Sequence, residues 1–314
     1  MRSMLSENNF AKVGPFQSLI FIVLITFTGF LFIGSFLGIA AAIPFYDGSI
    51  SDMYYALNDP VSHPDLKIPL FIMQGFSTFI GFILFPYLYC TMVLKLGTRD
   101  FTSGQFPTPV ISLLVVILVV TFMGANSIFI EWNANLTLPQ SLSGLERWAR
   151  DFEDRAQEIT QFLTTFESGS EFIIGLIVIA ILPAIGEELV FRGLIQTHLN
   201  VITRNIHISI WVSAIIFSFF HMQFFGFVPR ILLGALFGYL YAWSGNLSYP
   251  VIAHSMNNGF TLFMMYLYSK GNVDFDIEAT ESVPLTTVLI SAGITAVLLY
   301  IFKSYFRNET VQNE

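Results

Sequence analysis

Apolar residues gather along this chain in eight stretches, near 17–43, 69–94, 109–130, 171–190, 208–225, 229–244, 248–269 and 284–303. A helix crossing a bilayer needs about 20 such residues, and only helices or closed barrels satisfy their backbone groups in hydrocarbon. The pattern predicts an all-α fold, a polytopic membrane helical bundle of about eight transmembrane helices. The first stretch follows a polar segment with Arg2 and Lys12 and, at roughly 27 residues, exceeds the 7 to 15 of a signal-peptide core, so it is read as a retained helix. The fifth and sixth are short and separated only by GFVP, which predicts a tight hairpin or a partly re-entrant segment.

A different period appears between the third and fourth stretches. Leu142, Leu145, Ala149, Phe152, Ala156, Ile159, Leu163 and Phe166 recur at steps of three and four, which predicts one amphipathic helix over 141–166. It is expected to rest on the membrane surface or the bundle rather than to gate a substrate. The preceding EWNANLTLPQ reads as a loop.

Composition agrees with a membrane protein: 314 residues, 54% hydrophobic, 11% charged and a mean hydropathy of +0.67, against roughly 25% charge in soluble domains. Cys90 is the sole cysteine, which excludes an intrachain disulfide and a cysteine-based metal cluster. A net charge of −8 with scattered basic residues gives no reason to expect nucleic acid. If the first of eight helices starts inside, cytoplasmic segments hold Arg2, Lys12, Lys95, Arg99, Arg204, Lys303 and Arg307, and outer loops only Lys67, Arg230 and Lys270. The positive-inside rule then places both termini in the cytoplasm. The outer loops are acidic, through Asp47, Asp52, Asp59 and Asp65 in one and Asp274, Asp276, Glu278 and Glu281 in another, which adds little to topology. A bacterial inner membrane is compatible with these features.

The stretch GEELVFRG, 186–193, sets three charges at the end of an apolar run. Glu188 and Arg192 are four apart with the acid first, the favourable order for an ion pair on one helix face. Glu187 is rotated about 100° from Glu188 and has no local partner. A partner must come from another helix, and the embedded polar residues are few: His221 in the fifth stretch, and His254 with Asn258 one turn apart in the seventh. From helical rise, His254 lies roughly 9 Å and His221 roughly 20 Å from the cytoplasmic starts of their helices, so the cavity is expected to open toward the cytoplasm. Gly234-x-x-x-Gly238 reads as close packing within the bundle, His198 and His207 as solvated loop histidines, Asn257 as a residue on a different face from Asn258, and Pro183 as a loosening of the helix before Glu187.

Glu187-Glu188-x-x-x-Arg192, Phe217-x-x-x-His221 and His254-x-x-x-Asn258, in that order on successive apolar helices, resemble the three motifs of the CPBP intramembrane protease family. That family includes the CAAX prenyl endopeptidases and the Abi and bacteriocin-immunity-related proteins; the resemblance covers roughly 172–265. It divides the chain into N-terminal helices with the amphipathic helix (1–170), a catalytic helical core (171–270), and a final helix with its tail (271–314). The resemblance implies peptide-bond hydrolysis within the membrane. Glu187 would act as general base on a water held also by His221, and His254 and Asn258 would hydrogen-bond the oxyanion. Glu188 and Arg192 would hold this set in place, with Phe217 as ordinary core.

This glutamate-and-water scheme requires no cofactor. Zinc held by Glu187, His221 and His254 is the alternative, less favoured because no HExxH pair is present. The expected partners are the membrane and a membrane-associated peptide or protein substrate, and nothing in the chain identifies a lipid-chain pocket. Competing readings are a non-catalytic immunity or scaffold protein and an ion-coupled transporter with a Glu/His proton relay.

Overall fold

The computed structural model of the chain describes residues 13–102, 105–274 and 280–312. Arg2, Lys12, Asp276 and Glu278, used above for topology, lie outside them. Eleven helices, with short 3₁₀ turns at Pro60–Ser62 and Gln140–Leu142, account for the regular structure among the described residues: α1 (Pro15–Phe45), α2 (Ile50–Ala56), α3 (Pro64–Leu94), α4 (Thr98–Phe101), α5 (Pro109–Ala134), α6 (Ser143–Thr164), α7 (Gly169–Thr203), α8 (Ile206–Phe220), α9 (Phe227–Ser244), α10 (Ser248–Ser269) and α11 (Leu285–Gln312). The protein is an all-helical polytopic bundle. The segment EWNA, read as loop, instead completes the last turn of α5.

Six of these helices, α1, α3, α5, α7, α9 and α11, are long and apolar enough to cross a membrane. The two further segments counted from sequence are α8, only 15 residues long, and α10, which has the length but carries His254, Asn257, Asn258 and Thr261. Both shortfalls arise at the polar residues: His221 ends α8, and the amides dilute α10.

Connections fall alternately at two ends of the bundle. At one end Leu247 N donates to Phe101 O at 2.9 Å and Asn246 Nδ2 to Gln105 O at 3.0 Å, joining the α9–α10 and α4–α5 connections. At the other, Lys67 at the head of α3 pairs with Glu171 at the head of α7 (2.9 Å) and also donates to Thr165 O at the end of α6.

α6 matches its expected bounds within two residues at each end, and Leu163 and Phe166 anchor its C-terminal side in a core with Phe71, Ala180 and Leu262. Leu145, Trp148 and Phe152 remain exposed, as suits a helix whose apolar face meets lipid. Its polar face does more than rest on the bundle. Glu153 Oε1 accepts the backbone N–H groups of Phe224 (2.6 Å) and Phe225 (3.0 Å), and the Arg150 guanidinium lies 3.8 Å from the Phe225 ring centroid. α6 therefore clamps the turn between α8 and α9.

α8 and α9 pack closely because α9 presents glycine. A Cβ at Gly234 would meet Ala214 Cα at 3.2 Å, and one at Gly238 would meet Ile210 Cγ2 at 2.8 Å. The G-x-x-x-G pattern thus serves packing inside the bundle, as expected. The buried carbonyls of the same glycines receive side chains of α7: Arg192 Nη2 donates to Gly234 O (2.8 Å) and Gln196 Nε2 to Gly238 O (3.1 Å).

Candidate active site

α7 is not uniform. Pro183 sits between two π-helical segments, Leu176–Ile181 and Leu189–Gln196, with Glu187 and Glu188 in the α-helical stretch between them. π segments in α-helices often mark functional sites, and a proline that removes one N–H favours such local rearrangement. Glu187 lies about 27 Å of helical rise from Gly169 and about 24 Å from Thr203, near the middle of the helix.

The two adjacent carboxylates meet different surroundings. Glu188 is fully buried, and its Oε1 accepts from Arg192 Nη1 (2.8 Å) and from His254 Nδ1 (2.8 Å). The ion pair with Arg192 is the one the spacing predicted. The bond to His254 is new, and residue spacing alone could not reveal it because it joins α7 to α10. Arg192 is further enclosed by the rings of Phe217, 4.6 Å from its Cζ, and Phe237, 5.3 Å away. Phe217 is core, as expected, and it also packs edge-on against His221 and His254, at 4.8 and 5.9 Å between ring centroids.

Glu187 faces two imidazoles. Its Oε2 lies 3.9 Å from His221 Nε2 and 3.9 Å from His254 Nε2, and this buried oxygen has no hydrogen-bond partner in the protein. The tautomers follow from the far side of each ring. His221 Nδ1 sits 2.9 Å from Phe217 O, and His254 Nδ1 sits on the Glu188 carboxylate; carbonyl and carboxylate oxygens only accept, so both Nδ1 atoms carry hydrogen. In the neutral rings the Nε2 lone pairs then point toward a third acceptor, Glu187 Oε2. Glu187 Oε2 thus faces two imidazole nitrogens, each 3.9 Å away, with no hydrogen bond to either.

His221 is the C-cap of α8, and the next residue, Met222, adopts the left-handed conformation (φ 55°). A non-glycine residue held there costs about 1–3 kcal/mol and is characteristic of functional sites. Since α8 ends level with the middle of α7, the 221–226 turn is recessed among the helices and α6 closes over it. The His221 side chain is 32% exposed, against 4% for His254, so the cluster opens past His221. His221 itself stands at the end of α8 remote from Arg204, next to the turn that α6 holds. α8 runs its whole length from the Arg204 end before it delivers His221.

Asn258 is one turn beyond His254 on α10 and half-buried; its Oδ1 accepts from the Asn257 side chain at 3.1 Å. The two amides therefore meet, where the sequence reading set them on separate faces. His198, read as solvated, is fully buried: Nδ1 lies 2.7 Å from Leu194 O and Nε2 2.8 Å from Ser18 Oγ, which also accepts from Tyr89 OH at 3.0 Å. Residue spacing could not show that α1 and α3 supply its partners. His207 is exposed, as expected, with Nδ1 2.8 Å from Tyr239 OH.

Donor types and spacing disagree about zinc. Two imidazoles and a carboxylate, each imidazole backed by an oxygen acceptor, are a chemically suitable set. Atoms 3.9 Å apart subtend about 90° at a water about 2.8 Å from each, but about 135° at a zinc with bonds of about 2.1 Å, against about 109° for a tetrahedron. Among the described residues no group of three or more His, Cys, Asp or Glu has the makings of a metal site.

Fold and site together define an integral membrane helical bundle with a carboxylate–imidazole centre built on three helices. Residues 169–260, under a third of the chain, match the family model described as type II CAAX prenyl endopeptidase Rce1-like, so the chain carries a domain of that family. A segment of 83 residues is 32% identical to the uncharacterized protein YpbD of Bacillus subtilis (strain 168), covering 25% of this chain and 39% of that protein; the match thus spans about two fifths of the relative's length. No solved structure matches the chain.

Proposed function

We propose that this protein is an intramembrane endopeptidase that hydrolyses peptide bonds of membrane-associated substrates. One observation carries the reading: the Glu187 carboxylate oxygen stands 3.9 Å from the Nε2 atoms of both His221 and His254, in the helices that match the endopeptidase family. Eight crossings with both termini in the cytoplasm are part of the proposal, supported by the alternation of connections between two ends; α8 then presents Ile208, Trp211, Ile215 and Phe219 on an exposed apolar face.

The two histidines divide the work according to what holds Nδ1. His221 is tied to a neutral carbonyl, so its Nε2 is an acceptor that, with Glu187, orients a water for attack on the substrate carbonyl carbon. Glu187 takes the proton from that water and returns it to the leaving amine as the C–N bond breaks. His254 is tied to the Glu188 carboxylate, which can carry an imidazolium as the buried carboxylate does in acid–base triads. With one proton taken up from the medium before the substrate binds, Nε2–H donates to the oxyanion, and the Asn258 amide one turn away adds a second donor. Glu188 and Arg192 position the ring and neutralise one another.

The test is cleavage of a membrane-derived peptide library by the purified protein, with Glu187→Gln and His254→Ala as comparisons, before and after chelation and zinc add-back. Loss of cleavage in both variants with chelator resistance supports the water scheme. Loss on chelation with recovery on zinc overturns it in favour of a metal, and equal cleavage by all three proteins overturns the site.

A further inference from the structure

Arg230, near the start of α9, is a charged side chain of the bundle to which the scheme above gives no work. It is half-buried, and its position is fixed by the turn that begins at His221: one Nη2 hydrogen is given to Gln223 Oε1, Nη1 approaches Gly226 O at 3.5 Å, and the guanidinium lies against Gly226. Among the described residues no carboxylate stands within ion-pairing distance of it, in contrast to Arg192, which is paired with Glu188.

The carboxylates whose charges it does sense are Glu187 and Glu153. Both are committed elsewhere, Glu187 toward the two imidazoles and Glu153 on the N–H groups of Phe224 and Phe225. Its charge in turn bears on Glu187 and His221, so it belongs to the same cleft as the candidate water site. A guanidinium offers five N–H donors in a planar fork, and two of these are used here. A cation inside a membrane protein without an anion beside it is costly, and such residues mark substrate or ion paths.

We propose that Arg230 is a specificity residue that seats a carboxylate of the bound peptide, a few residues from the scissile bond held over Glu187. The inference rests on the peptidase reading, and within it carboxylate is the anion a peptide supplies, either from an acidic side chain or from a free C-terminus. The fork geometry suits two parallel N–H···O bonds to such a group. Substrates bearing the carboxylate gain in KM rather than in the chemical step, because the seat lies away from the reacting atoms.

Binding and cleavage separate the two readings. Fluorescent apolar peptides in matched sets, ending in a free acid or a carboxamide and carrying Asp or Asn at each position, are bound by anisotropy to full-length Glu187→Gln protein in nanodiscs. The same peptides are offered to the wild type for cleavage. The expected result is at least about tenfold tighter binding of one carboxylate-bearing set. In the double variants that preference collapses below about twofold with Arg230→Gln and is only partly kept with Arg230→Lys, which retains the charge but not the fork. Which set responds tells side chain from C-terminus. Equal binding of acid and neutral peptides, which needs no Arg230 variant to see, overturns the seat, and so does a preference that survives Arg230→Gln. If the preference appears while the wild type cuts nothing, the peptidase reading fails and the seat stands. If the wild type cuts acid and neutral peptides with equal kcat/KM, the seat fails and the peptidase stands.

Discussion

α7 carries two buried polar clusters two to three turns apart, and they differ in one respect. Around His198 every ring nitrogen has a protein partner: Leu194 O on one side, Ser18 Oγ on the other, with Tyr89 closing the set from α3. Around Glu187 the far nitrogens of His221 and His254 are tied, while the near ones and Glu187 Oε2 face each other at 3.9 Å without a bond. Buried polar groups are normally satisfied, and a closed network fixes one packing arrangement. An open one retains lone pairs for something that is not protein. The first cluster joins α7 to α1 and α3; the second leaves a carboxylate oxygen and two imidazole nitrogens unbonded to protein.

The contrast can be broken most sharply at Glu187. Glu187→Gln should lower peptide cleavage by about 10²–10⁴-fold, the usual range for a general base, with thermal stability unchanged or raised because a buried unpaired carboxylate is removed. A fall in both quantities together would make Glu187 structural. Arg192→Met leaves Glu188 buried with only His254 beside it and should destabilise by about 3–5 kcal/mol, read as reduced resistance to unfolding in detergent.

His198→Ala should cost about 1–3 kcal/mol through Ser18 and Leu194 O left without their partner, while kcat per folded molecule stays at the wild-type value. A selective loss of kcat would erase the distinction between the clusters. Met222→Gly relieves a left-handed residue and should stabilise by up to about 1 kcal/mol, and any drop in kcat it brings would measure how far the rigid turn matters to His221.

The smallest effect concerns α6, which clamps that turn. The Leu138 N–H and then Arg150 hold the Glu146 carboxyl below its ordinary range. Its folded value is depressed, so its contribution is present at neutral pH and is lost as pH falls through that folded value. Acidification should loosen the N-terminal half of α6, visible as a shift in Trp148 emission, and Glu146→Gln should remove the pH dependence.

The residues of the chain settled the material of the protein more than its arrangement. The apolar stretches made a helical membrane bundle unavoidable, since no other open structure satisfies backbone groups in hydrocarbon. The three-and-four spacing produced α6, and the four-residue spacing from Glu188 to Arg192 produced an ion pair seen at 2.8 Å. Both are local consequences of helical geometry, which is why spacing sufficed. It also singled out Glu187 as a carboxylate with no neighbour on its own helix.

Tertiary structure alone decided the rest. Glu188 acquired His254 as a second partner from α10, His198 was drawn into the core by α1 and α3, and Asn257 turned to meet Asn258. The depth of the site followed from where α8 stops, and its turn is held from α6, 71 residues away along the chain. Such contacts join residues that share no local period. They depend on which helices lie side by side, and a bundle fixes that by packing small residues such as Gly234 and Gly238 against a neighbour that the hydropathy pattern does not name.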